Sequence, residues 1–540
     1  MRKFIILFFA IGQLSLINCP LATAQNDTTL KRIVTVERDF QPVIQSAGKI
    51  NQRPNILTRE VPLTPVIYST YSDSLSIHHT LNPLQVAEAR FTPQSPLRGI
   101  LDIAGGYRNT HFLFGYRIDH QKKMSLNLYA KHDAYWGKDA LSQSKLGMQV
   151  TRHFSGADFY FGIEGNNELY TLPQFPWRKL WNANARIGVR STNNSPVQYL
   201  IQTGYTAFIA EPYAVEHQAK SHLNLWWSNN SHQAGVRAYV QNNFYTPFDS
   251  ALVTSTRHAF RIEPFYEYNS KHIHLHAGVN MDMNIGTGQM YSEIENISFA
   301  PSPNLKFEWN MMNNIFHVYT NATGHYGVGS LEEYLGYNRY LNVAQGLAWN
   351  TPCAYTPVDA QFGFKLLPMR TLLIDIYGGY AFLMNAYNMK AILDNNANVT
   401  EYQLWREQIQ QWKIGASIHY HYRDILELNV NGNYYFHLSA TGVFNRPKWD
   451  AYARLEAHID TKWSIYSENY FAGSREAYIA PYRSVTLRPI ISLNIGGQYA
   501  INRWLAIYAQ VNDYLNRKND IFYGYQSQGL HFLVGVKWQF

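Results

Sequence analysis

Cysteine is almost missing from this chain of 540 residues, which contains only Cys19 and Cys353. Cys19 sits in a leader-like stretch, so the rest of the chain has one thiol and no disulfide framework to staple it. Charge is sparse as well, at 16 % of residues. The 46 Lys and Arg against 38 Asp and Glu give a formal charge of +8, which over this length makes no case for nucleic-acid binding. No stretch after the leader has the roughly 18 consecutive apolar residues that a membrane helix requires. Mean hydropathy is −0.30, the value of a soluble chain. G-x-S-x-G, H-E-x-x-H and G-x-x-x-x-G-K-[ST] are all absent, so no local motif argues for an enzyme. Asp394-Asn-Asn396-Ala-Asn398 opens like a calcium loop but lacks its later glycine and acidic residue, and reads as a polar loop. Neither a metal nor a cofactor is expected.

The N-terminus has the form of a secretory signal over 1–24. Arg2 and Lys3 precede an apolar run, and Ala22-Thr-Ala24 stand ahead of Gln25. Asn18, where a small residue would be wanted, speaks against lipidation of Cys19. Residues 25–97 lack sustained periodicity and are broken by Pro42, Pro54, Pro62, Pro65, Pro83, Pro93 and Pro96. They read as an irregular arm, periplasmic or occupying a lumen, and not as a compact domain.

From about 98 onward, apolar and polar residues alternate. Ile273, Leu275, Ala277, Val279, Met281 and Met283 interleave with His274, His276, Gly278, Asn280, Asp282 and Asn284. The same alternation marks 413–422 and 450–460, and it ends the chain at Phe532, Val534, Val536, Trp538 and Phe540. A strand sends alternate side chains to opposite faces, so each segment has one face suited to hydrocarbon and one to water. Membrane strands of about 9–11 residues average out in a hydropathy plot, which reconciles the low mean with membrane residence.

Short polar turns near 120–123, 228–231, 269–271, 422–424 and 501–503 take turns with longer connections near 166–179, 209–217, 326–357, 385–408 and 514–528. Short periplasmic turns and long external loops are the habit of bacterial barrels. The expectation is an all-β fold: a closed antiparallel transmembrane barrel over 98–540, of about 22 strands, give or take two. Ser330-Leu-Glu-Glu333 and Thr400-Glu-Tyr-Gln403 fit a capping box, so helices are expected in both of those loops.

Two features offer themselves for chemistry. His272, His274 and His276, with His419 and His421, fall on the polar faces of strands and are candidates for a lumen lining; histidine as simple polar filler is the blander account. Aromatics reach 15 %, with 40 Tyr and 13 Trp. They suit girdles at the membrane interfaces, or loop platforms such as Tyr334, Tyr337, Tyr340 and Trp349 that stack on a solute.

Val511-Asn-Asp-Tyr-Leu-Asn516 through Tyr525, Gly529, Gly535 and Phe540 resembles the last two strands of TonB-dependent receptors, although Leu530 stands where Arg is usual. Val34-Thr-Val-Glu-Arg-Asp-Phe40-Gln-Pro42 resembles N-termini of barrel proteins from Bacteroidota-type envelopes. Within it Ile33, Val34, Thr35, Val36 and Glu37 look like the box that contacts TonB. The aromatic terminus looks like the signal read by the barrel-assembly machinery. What the resemblance implies is an outer-membrane protein that takes up an unidentified small solute, with TonB as the source of energy. The 25–97 segment is too short for the plug domain of that family, which keeps two rivals in play. One is a barrel subunit or scaffold of an envelope, secretion or surface-lipoprotein complex; the other is a passive pore. The expected partners are outer-membrane lipids, the assembly machinery, and TonB or a surface lipoprotein.

Overall fold

In hydrocarbon a strand must find backbone partners on both sides, so a sheet with lipid on one face has to close on itself. A computed structural model describes residues 98–540, apart from the stretches 121–122, 138–139, 172–177, 193–194, 249–253, 288–295, 313–314, 343–352, 396–397, 424 and 481–482. The signal 1–24, the arm 25–97 and the Ile33–Glu37 segment lie outside the described residues.

Closure is complete. From β1 (Gly99–Tyr107) to β19 (Trp463–Ala472) each strand pairs antiparallel with the next. A side hairpin, β20 (Arg475–Ile479) and β21 (Arg483–Leu487), then leaves the wall. The wall resumes at β22 (Ile490–Ala500), which pairs with β19, and continues through β23 (Leu505–Asn512). After a small hairpin, β24 (Asp520–Phe522) with β25 (Tyr525–Gln526), β26 (His531–Gln539) pairs with both β23 and β1. Of the 24 strands in this sheet, the side hairpin accounts for two and 22 make the barrel.

The alternation read from the sequence is the alternation of the wall. Leu146, Ile163, Ile201, Leu225, Ile262 and Phe362 all point outward and are exposed, while Asp102, Asn280, Asp282, Arg454 and Glu456 are buried on the inner side. An uncovered belt of this kind belongs against lipid. Trp227, Trp309, Trp463, Trp504 and Trp538 stand outward at the end with short turns, as an interfacial girdle does. Phe532, Val534, Val536 and Trp538 share the outward face of β26, and Phe540 exchanges backbone hydrogen bonds with Gly99 at 2.6 and 3.0 Å.

Two expectations for the long-loop end need correction. Thr400 does not cap a helix: Val399–Tyr422 is a single strand, β16, of 24 residues, paired with β15 (Leu372–Leu393) of 22. The expected loop 385–408 is therefore a tall hairpin standing above the wall. Val399, Tyr402 and Leu404 are buried along it, and the cross-strand partners Ile392 and Leu393 supply pairing that an isolated helical turn could not match. Likewise 209–217 is not a long loop, because β7 (Val197–Glu211) and β8 (Ala214–Asn229) are joined by Pro212 and Tyr213 alone. The Ser330 expectation holds. Ser330 caps α1 (Leu331–Tyr337), accepting from the Glu333 amide while Glu333 accepts from the Ser330 amide.

Candidate functional site

The helix α1 stands on a segment that folds into the mouth of the barrel. Leu331, Tyr334, Leu335 and Leu341 bury themselves against Leu180 and Phe208 of the wall, Met389 and Tyr402 of the tall hairpin, and Phe522 and Tyr525 of the β24–β25 hairpin. Burying each large apolar side chain contributes about 1.5–3 kcal/mol, so this cluster is a second core built only from loops and strand ends. At its centre the rings of Tyr340 and Tyr525 stack at 3.6 Å and 18°.

Polar latches fix this lid at several points. Arg178, 2 % exposed at the start of β6 (Arg178–Ser191), donates to the carbonyls of Arg339 at 2.9 Å and Leu341 at 2.8 Å and to the Tyr213 hydroxyl at 2.7 Å. The Leu331 amide donates to the Glu216 carboxylate at 2.7 Å, which settles the first turn of α1. Arg257 donates to the Val328 carbonyl at 3.2 Å and to Cys353 Sγ at 2.6 Å, and Arg406 to the Tyr334 hydroxyl at 2.9 Å. Burial pushes the Glu333 carboxyl above the ordinary carboxylate range.

Beside the lid lies a cavity of about 340 Å³. Its walls come from Tyr135, Gln143, Asn166, Asn182 and Phe208 of the barrel, Glu332 and Leu335 to Tyr340 of the lid, and Asp513, Phe522, Gln526 and His531 from the last loop and strand. Asn182 donates to Glu332 at 2.6 Å, and Glu168 pairs with Arg339 at 3.2 Å. This mixture of aromatic faces, amides and carboxylates is what a pocket for a small polar solute presents. Asp513, at φ +47°, follows β23, and burial pushes its carboxyl up to about 6. A folded value above the ordinary one means that ionisation opposes the folded state. The stability is whole below about pH 4 and falls as pH rises through 6, by roughly 3 kcal/mol in all. Asp513→Asn keeps a residue at home in the left-handed region. It is expected to raise the melting temperature at pH 8 and leave it unchanged at pH 4; an equal shift at both would show that the carboxyl is not the cause.

Two further cavities, of about 530 and 650 Å³, lie along the inner wall. The first largely neutralises itself, with Arg261 on Asp282 at 2.6 Å and Arg237 on both Glu263 and Glu267 at 3.1 Å. This is where the histidine row ends. His276 is buried between Glu267 at 2.8 Å and Glu263 at 3.2 Å, His274 bonds to Asn269, and His272 lies in the turn before β11 (Ile273–Thr287). His419, bonded to Asn429, and His421 lie on β16, with four strands, β12 (Asn296–Met311), β13 (Phe316–Tyr326), β14 (Tyr355–Met369) and β15, between them and β11. The structure does not gather these five histidines into one site. Among the described residues no group of three or more His, Cys, Asp or Glu is placed to hold a metal ion.

Sequence reasoning singled out Tyr334, Tyr337, Tyr340 and Trp349, the last of which lies outside the described residues, but missed Arg178, Glu216, Asn182, Asp513 and His531. The available signal was charge at strand ends facing the lumen, as at Arg178 and Glu216, and nothing in their spacing links them.

No protein-family model and no curated protein matches the chain. Solved structures do. The copper transporter OprC superposes with a TM-score of 0.65 at 11 % identity, covering 84 % of this chain and 82 % of its own. The FrpB iron transporter from Neisseria meningitidis (F3-3 variant) gives 0.65 at 8 %, over 83 % and 82 %. A mutant of the ferric enterobactin receptor PfeA from Pseudomonas aeruginosa gives 0.62 at 10 %, over 83 % and 81 %. At such identities the likeness is one of fold, and that fold is the closed barrel these structures share with this chain.

Proposed function

We propose that this protein is an outer-membrane receptor that takes up a small solute, and that the cavity beside α1 is where the solute is first held. The carrying observation is the inward lid, which places aromatic, amide and carboxylate groups around about 340 Å³ of space within the mouth of a closed 22-strand barrel. The solved relatives of this fold include transporters and receptors named for copper, iron and siderophore, which supports uptake over an enzymatic role. The long-loop end then faces outward, the short-turn end faces the periplasm, and the 25–97 segment is the periplasmic arm. Ile33, Val34, Thr35, Val36 and Glu37 form the extended segment that adds to the edge of a TonB sheet. Phe532, Val534, Val536, Trp538 and Phe540 serve as the insertion signal.

The lid speaks against a passive pore. Its buried contacts lie across the mouth, where a pore would keep the water path clear. The test is conductance of the purified protein in a planar bilayer, with and without 25–97. The intact chain is expected to be silent, and large steady conductance would overturn the receptor reading. Silence that gives way on removing 25–97 would assign the arm to the lumen. Stoichiometric recovery with an envelope complex on gentle extraction would favour the scaffold instead. In cells, Val34→Pro is expected to abolish uptake while leaving insertion intact, and normal uptake would remove the box assignment.

A further inference from the structure

The buried polar atoms around the lid cavity are unsatisfied in one sense only. Asp513 and His531 are 4 and 5 % exposed, and Asp513 Oδ1, His531 Nε2, Asn182 Oδ1 and Asn166 Oδ1 are buried without a hydrogen-bond partner. All four residues line the cavity. Three of these atoms must be acceptors by the chemistry of their surroundings. His531 Nδ1 lies 2.9 Å from the Gly529 carbonyl, which can only accept, so the ring proton is on Nδ1 and Nε2 is a bare lone pair. Asn182 gives its amide hydrogens to the Glu332 carboxylate, which leaves its oxygen free. Asp513 Oδ1 is a carboxylate oxygen, an acceptor whenever it is ionised.

A buried orphan is costly, so native proteins satisfy nearly all such atoms with protein, water or ligand. Several acceptors converging on one space require a partner made of donors. Charge narrows the choice. The lining holds Glu168, Glu332 and Asp513 against Arg339, whose charge is taken up by Glu168. Glu332 and Asp513 leave the cavity negative. A bare metal ion fits poorly, since among the described residues no set of three metal-ligating side chains is placed for one.

We infer that the lid cavity binds a small organic ammonium bearing additional N–H or O–H donors, with Asp513 and Glu332 meeting its charge and His531, Asn182 and Asn166 accepting its remaining hydrogens. This rests on the proposed role of the cavity as the first solute site. The aromatic faces of Tyr135, Tyr337 and Phe522 in the lining add a surface over which a cation is favourable.

The test is isothermal titration calorimetry on the full-length protein in detergent at pH 7.5, with three sugars of one shape: glucosamine, glucose and glucuronate. Glucosamine is expected to bind, glucose about tenfold or more weakly, and glucuronate weakest. Asp513→Asn and Glu332→Gln are each expected to weaken glucosamine by about tenfold while leaving glucose unchanged. Equal binding of glucose, preference for glucuronate, or no heat from any of the three would each overturn the inference; the last would mean that water alone satisfies the acceptors. Uptake separates this inference from the functional reading beneath it. Glucosamine that binds but never enters cells through the barrel would leave the ammonium site and remove uptake. Entry of a neutral or anionic solute through the barrel, without glucosamine binding, would leave uptake and remove the ammonium site.

Discussion

Arg178→Ala is expected to release the lid and leave the barrel standing. Amide exchange over 331–342 should accelerate by about 100-fold, while migration as a folded barrel in unheated gel electrophoresis stays that of the native protein. Arg178 holds two successive parts of the lid, through the Arg339 and Leu341 carbonyls, and its guanidinium lies over the Tyr213 ring at 4.5 Å. Hydrogen bonds from a charged donor contribute about 1.5–3 kcal/mol each, and truncation strands the Leu341 carbonyl in a water-poor site while the Arg339 carbonyl keeps the Tyr170 hydroxyl at 2.5 Å. A loss of about 3 kcal/mol in docking corresponds to roughly 100-fold in opening. The barrel is spared because Arg178 is the first residue of β6, where the wall hydrogen bonds are made by its backbone. Arg178→Lys should restore little, since a point charge cannot span two carbonyls as the planar guanidinium does. Glu216→Ala loosens the same segment from its other end by freeing the Leu331 amide. Unchanged exchange in both variants would mean that the apolar cluster and the remaining latches hold the lid without them.

The wall was legible because its rule is local. Lipid on one side and water on the other force a period of two, and Ile273 to Asn284 or Phe532 to Phe540 carry that period without interruption. The alternation of turns and loops then set the strand count, since each short turn marks a pair. Local rules failed where partners distant in sequence decide. Ser330 and Thr400 begin the same capping pattern, yet only Ser330 caps a helix. Thr400 sits at a register shift in the tall hairpin, between Val399 opposite Leu393 and Glu401 opposite Ile392, and its hydroxyl donates to the Ile392 carbonyl at 3.1 Å; Gln403 bonds to Glu401 two residues away, as residues on one face of a strand can. The lid was less legible still. Arg178 meets Leu341 across 163 positions and Glu216 meets the Leu331 amide across 115, so no window of sequence contains both partners. Asp513 looked like part of a terminal motif, and only the cavity shows that its carboxyl is buried among acceptors.

Closure of the barrel depends on one seam, and two adjacent glycines test it under matched conditions. In β1, Gly105 lies opposite Val534 and Gly106 opposite Leu533 of β26. A methyl group at Gly105 would meet nothing within 4 Å, whereas at Gly106 it would come within 1.9 Å of the Phe532 carbonyl oxygen. That obstacle is backbone, which cannot swing aside as a side chain can, and the strand carrying it is the one that closes the barrel onto β1. Gly106→Ala is therefore expected to lose about 3 kcal/mol, the upper end of the usual cost of overpacking, by prising apart β1 and β26. Gly105→Ala should behave as the native chain. The two variants have the same composition and differ by one position in β1, so a difference in folded barrel on an unheated gel isolates the seam from the loss of a glycine. Removing Phe540 acts on the same joint. It deletes both backbone hydrogen bonds to Gly99 and the ring that stacks on Tyr116 at 5.9 Å and tilts against Trp538 at 4.8 Å. The folded fraction should fall for Gly106→Ala and for the truncation alike, because an open seam exposes two strand edges to hydrocarbon that no water can satisfy. Normal levels of folded barrel from Gly106→Ala would show that β1 can shift relative to β26 without cost, and that closure is held elsewhere.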